Sequence, residues 1–129
     1  LRTLGAKHTT TVLPALRDDI KALAVAEGGA PAVPRRLLVC CVRLAPEKNA
    51  LLFAEVVVAL APFLTKAEIE PVLCAPPKTS DPEYRTRVIG LFESAGVPGA
   101  HTLSTFLGPA ELAAVQRQAM LNFHPATYD

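Results

Sequence analysis

Apolar residues along the chain fall into two kinds of segment: short unbroken runs, and longer stretches in which they recur every three to four positions. The first run is Arg36-Leu37-Leu38-Val39-Cys40-Cys41-Val42, nearly continuously apolar, too short for a typical helix and rich in strand-compatible residues, as expected of a strand covered on both faces. Residues 49–64 then carry Leu51, Leu52, Val56, Ala59, Leu60 and Phe63 at helical spacing, with Pro62 near the end and Val56-Val57-Val58 lowering local helix propensity. The order repeats. Residues 69–74 read as a strand, 75–80 as a proline-rich loop, and 82 to about 95 as a helix with Asp81 as N-cap, Pro82 in the first turn and Gly96 as the stop. A short strand is expected within 97–106, a helix over 109–119 with Leu112, Val115 and Ala119 facing inward, and a final strand over 120–123.

Upstream, residues 1–12 are Thr-rich and weakly patterned and lead into Leu13-Pro14, where proline disfavours helix, so 1–14 is predicted as an extended linker. Leu16, Ile20, Leu23 and Ala24 place a short amphipathic helix over 15–26, and Gly28-Gly29-Ala30-Pro31-Ala32-Val33-Pro34 breaks it. Strands and helices alternating at these lengths favour βαβ units. The fold expected is therefore α/β, a Rossmann-like parallel sheet with helices on both faces, occupying residues 15–129. A chain of 129 residues, 50% of them hydrophobic, can bury roughly two-thirds of its unfolded surface, enough for one core.

Charge narrows the functions. Thirteen basic and 12 acidic residues give a net charge of +1, so no global field draws nucleic acid or an anionic membrane to this chain. The apolar stretch over 50–64 contains Glu55 and Pro62 and falls short of the roughly 20 residues needed to cross a bilayer. Cys40, Cys41 and Cys74 lie in apolar runs without metal or disulfide spacing and are expected as reduced, buried thiols, which favours an intracellular setting. His8, His101 and His124 are scattered and predict no metal site; His8 reads as exposed and His124, before Pro125 at a strand end, as a capping or packing residue. Tyr84-Arg85-Thr86-Arg87 reads as the solvated face of a helix.

Local chemistry concentrates in Arg43-Leu44-Ala45-Pro46-Glu47-Lys48-Asn49, between the first strand and its helix. A turn there aims a planar guanidinium and a flexible ammonium at one anion, and the first amides of the following helix supply further donors. The alternative is an ordinary strand-to-helix loop with solvated charges and Glu47 paired locally. No glycine-rich phosphate-binding sequence is present.

The loop resembles the R-L-x-P-E-K-(G/N) segment of the family 4 retaining glycosyltransferases, GT-B enzymes that include sucrose synthase and many mannosyltransferases. In that family the arginine and lysine bind the donor's diphosphate, which carries over to Arg43 and Lys48. Val12-Leu13-Pro14 followed by a polar helix is similar to the family's crossing into the donor domain. Phe106-Leu107-Gly108-Pro109-Ala110-Glu111-Leu112 resembles the entry to the helix near the nucleotide base, and His124-Pro125-Ala126-Thr127-Tyr128-Asp129 resembles the P-S-x-x-E segment, with Asp129 at the first acid of the family's acid pair. The matches occur in family order over most of the chain. Val42 stands where the family usually has glycine before the arginine, and Asp129 is one methylene shorter than glutamate.

What the resemblance implies is part of a GT-B donor domain, moving a sugar from a nucleotide-diphosphate sugar to an acceptor with retention and without a metal. Arg43, Lys48 and Asp129 would be catalytic; Arg43, Lys48, Asn49, Leu107, Gly108, Leu112 and His124 would hold the nucleotide sugar, a substrate and not a cofactor. The acceptor domain and the second acid are expected outside these residues. The alternative from another class is a non-catalytic structural subunit keeping the fold within a larger assembly. A flavodoxin-like or response-regulator-like module is disfavoured by the lack of an acidic cluster after the first strand.

Overall fold

A computed structural model describes residues 36–78 and 81–126. The linker expected over 1–14, the helix over 15–26 and Asp129 lie outside them. In chain order the elements are β1 (Leu37–Cys40), a single 3₁₀ turn (Pro46–Lys48), α1 (Ala50–Lys66), β2 (Glu70–Cys74), α2 (Pro82–Ser94), β3 (His101–Leu103), α3 (Pro109–Gln118) and β4 (Ala119–Asn122). The four strands form one parallel sheet in the order β3-β2-β1-β4.

Local chemistry accounts for the boundaries. The Asp81 carboxylate accepts the Tyr84 amide at 2.8 Å and caps α2, and Gly96, with φ 61, follows its end in a conformation costly for other residues. Helix α1 runs through Pro62 to Lys66, past the end expected from the sequence. Proline there removes the amide that would meet the Val58 carbonyl, but Val58 is on the exposed side, where water can take the freed acceptor. Beyond it, Leu64 is buried and holds the last turns to the core.

Pro71 sits in β2 between two neighbouring strands without costing a ladder bond. The Glu70 amide donates to the Arg36 carbonyl on the β1 side, so alternation turns position 71 toward β3. That strand begins only at His101, opposite Val72.

The two faces of the sheet are covered unequally. On one, Leu38, Cys40 and Leu73 pack against Phe53, Val57, Val88 and Phe92 of α1 and α2. Phe53 stacks on Phe92 with ring centroids 5.9 Å apart and meets Phe123, just beyond β4, at 5.6 Å. On the other, Val39, Val72 and Ala119 are covered by Val115 of α3. Helices on both faces of a parallel sheet bear out the fold expected from the pattern.

Three expectations are corrected in detail. The β1 ladder ends at Cys40, because the chain turns into its loop, leaving Cys41 and Val42 beyond it. Cys41 is half-buried instead of buried. Leu112 and Val115 are half-buried, and Ala119 is buried as the first residue of β4, not on α3.

Topology fixes where a ligand would sit. The chain steps outward from β1 to β2 to β3, then α3 recrosses on the other face and β4 pairs on the far side of β1. The order reverses between β1 and β4, and open parallel sheets bind ligands beyond the carboxyl ends of strands at such a point.

Candidate functional site at the carboxyl rim

The β1–α1 loop is pinned from below by its apolar residues. Leu44 and Ala45 are each 1% exposed, so the polar positions around them are held at the surface. Amide bonds from Ala45 to Arg43, from Lys48 to Ala45 and from Asn49 to Pro46, 2.8 to 3.0 Å long, wind the segment into one tight turn. Asn49, with φ 49 and ψ 38, adopts the left-handed conformation and serves as the junction between this turn and α1. Val42, where the resembled family has glycine, points into the α1/α2 core and not over the loop.

Arg43 is exposed, and its guanidinium donates to the Glu47 carboxylate at 2.6 Å. Glu47 is held below the ordinary carboxylate range, chiefly by a hydrogen bond from its own backbone amide, then by the Arg43 hydrogen bond, with the charges of Arg43 and Lys48 adding to it. Of the two cations of the motif, Arg43 pairs directly with this carboxylate, and Lys48 adds only a weaker charge effect. Lys48 itself is half-buried.

One expected donor is already used. The Leu51 amide, at the start of α1, donates to the Tyr84 hydroxyl at 3.1 Å. Tyr84 and Arg85, which the sequence placed on a solvated face, instead fold inward: Arg85 donates to the Ala75 carbonyl at 3.1 Å and to the Pro76 carbonyl at 3.4 Å. Their position, directly after a proline-rich loop at a strand end, was the available signal. A basic-aromatic pair in the first turn of α2 reaches back to the open carbonyls of the loop before it.

The remaining candidates lie on other loops of the same rim. Leu107 and Gly108 are half-buried ahead of α3, where the Glu111 carboxylate accepts the Gly108 amide at 2.8 Å and the Leu112 amide donates to the Gly108 carbonyl at 2.9 Å. Neighbouring Phe106 is 83% exposed. His124 is exposed beyond β4, next to buried Pro125, and the strand end is tied down by the Phe123 amide donating to Val39 at 2.7 Å. Parallel pairing brings the β1, β3 and β4 loops to one edge of the sheet.

A cavity of about 510 Å³ opens elsewhere, between α2 and β3, lined by Arg85, Phe92, His101, Thr102 and Ser104 among others. It includes none of the residues expected to hold a nucleotide sugar. The Thr102 hydroxyl there is buried without a hydrogen-bond partner. Among the described residues no cluster of three His, Cys, Asp or Glu side chains could hold a metal, and no helix is long and apolar enough to cross a membrane. No protein-family model, curated protein or solved structure matches the chain.

Proposed function

We propose that this chain is part of the donor-binding domain of a retaining glycosyltransferase, in which Arg43 and Lys48 take the diphosphate of a nucleotide sugar. The observation that supports the reading is the placement of Arg43 and Lys48 on one tight turn at the carboxyl rim, beside the reversal of strand order, where the Arg43 guanidinium already holds an anionic group. A diphosphate carries more negative charge and more acceptor oxygens than a carboxylate, and an arginine fork can grip it with two parallel hydrogen bonds.

In this mechanism the glycosidic bond to the diphosphate weakens first, and negative charge grows on the departing oxygen. Two cations fixed on a loop anchored by Leu44 and Ala45 offset that charge with little reorganisation. Leu107, Gly108 and Leu112 flank the nucleotide base, His124 lies on the sugar side, and Asp129 orients donor hydroxyls or ribose.

Titration calorimetry with UDP and GDP, and donor turnover by the intact protein carrying Arg43→Ala or Lys48→Ala, test the proposal. Saturable heat abolished by either substitution supports it; unchanged turnover in both variants defeats it. The second reading, a non-catalytic scaffold, is favoured by two observations: Glu47 already occupies Arg43, and Tyr84 already occupies the Leu51 amide. A scaffold shows no saturable heat with either nucleotide.

A further inference from the structure

The sheet brings two of the three cysteines together at its rim, independently of any sugar chemistry. The last paired residues of β1 and β2 are Cys40 and Leu73, so Cys41, the first residue past the β1 ladder, lies alongside Cys74, the last residue of β2. Paired parallel strands lie about 4.8 Å apart, so two residues leaving neighbouring strands at the same level start within the roughly 4.4–6.8 Å separation of α-carbons that a disulfide spans. Both side chains are on the α3 face, since Cys41 packs with Val39 and Val72 and Cys74 follows Val72 by two positions along its strand. Cys40 turns to the opposite face and is sealed in the aromatic core.

We propose that Cys41 and Cys74 form a two-electron redox site that closes to an intrachain disulfide across the ends of β1 and β2. Each thiol moves the other's acidity, and in opposite directions, which divides their roles. Cys41, half-buried, has its pKa lowered chiefly by the hydrogen bond from Cys74, whereas Cys74, buried, is raised by that same bond and by burial. Cys41 is the attacking thiolate and Cys74 the resolving thiol. Burial and the neighbouring Cys41 push Cys40 up to about 12, so it stays inert.

With a small disulfide such as oxidised glutathione as oxidant, the Cys41 thiolate attacks one sulfur, the oxidant's S–S bond breaks, and one glutathione thiolate leaves. Cys74 then gives its proton to solvent and attacks the Cys41 sulfur, expelling the second glutathione. Two protein S–H bonds are lost, one S–S bond forms, and the oxidant is reduced to two thiols.

The test uses the native chain treated with oxidised glutathione, quenched by alkylation, then denatured for thiol counting and peptide mapping. Two of the three thiols disappear, one linked peptide joins Cys41 to Cys74, and dithiothreitol restores all three. Cys41→Ser keeps both remaining thiols under the same treatment, and Cys40→Ala still loses its two. In the reduced protein, iodoacetamide labels Cys41 roughly tenfold or more faster than Cys40 at neutral pH. Three thiols surviving in the wild type, a link that involves Cys40, or only intermolecular links overturns the proposal; the wild-type map decides the matter if a variant does not fold.

Discussion

The two faces of this sheet are built to different depths. Under α1 and α2 lie Phe53, Phe92, Val57 and Val88, all at most 1% exposed, whereas among the described residues the α3 face buries smaller side chains, Val39, Val72, Cys74 and Ala119, with half-buried Val115 above them. Among the described residues, most of the fully buried apolar volume therefore lies on one side. The thiol pair and the entry to α3 lie on the thin side, where a residue can be reached by solvent without opening the main core. The charged turn after β1 lies between the two: its apolar residues enter the thick side and its polar ones leave at the rim.

The comparison breaks first at its deepest point. Phe53→Ala is expected to cost about 3–5 kcal/mol in urea unfolding, because two aromatic partners lose their contact and a cavity remains. Val115→Ala, on the thin side, should cost about 1–2 kcal/mol by the same measurement. Equal losses would show the two faces to be energetically alike.

Asp81→Ala removes the α2 cap and should cost about 1 kcal/mol, seen as a lower urea midpoint with an unchanged slope. Tyr84→Phe should cost about 1 kcal/mol for the lost bond to Leu51, while releasing that amide at the rim. If the rim binds diphosphate, UDP affinity is retained or increased in this variant; a scaffold changes only its stability.

The smallest stability effect belongs to Glu47→Gln, which should leave the urea midpoint essentially unchanged and strengthen UDP binding by freeing Arg43. The pH dependence follows the same logic. A carboxylate whose folded pKa is depressed contributes its pairing fully above its ordinary range and loses it as pH falls through the depressed value. In the wild type, acidification through that window should release Arg43 and narrow the affinity difference from the Gln variant. A constant difference across the window contradicts a competing Glu47.

Much of the fold was legible because periodicity reports burial, and burial here is regular. The runs at 36–42 and 69–74 marked the two central strands within two residues, and Asp81-Pro82 marked the start of α2 at the residue where it begins. The site was legible as a motif at a strand-to-helix junction, but its internal pairing was not. Spacing alone cannot decide whether Arg43 turns to Glu47 or to a ligand, since both are anions within reach. Tyr84 and Arg85 were misread because a helix's polar face looks the same whether it meets water or the carbonyls of the preceding loop. The thiol pair was hidden for a related reason: strand register, which sets Cys41 beside Cys74, is written in pairing and not in either segment.

Asn49 has one more consequence. Its positive φ admits glycine or asparagine readily and most other side chains only under strain, whether or not anything binds nearby. The bend thus filters the alphabet at this position by stereochemistry alone. A lineage that had lost every trace of enzymatic activity, but kept this corner of its backbone, would go on displaying the same residue there; evidence for catalysis has to come from its charged neighbours.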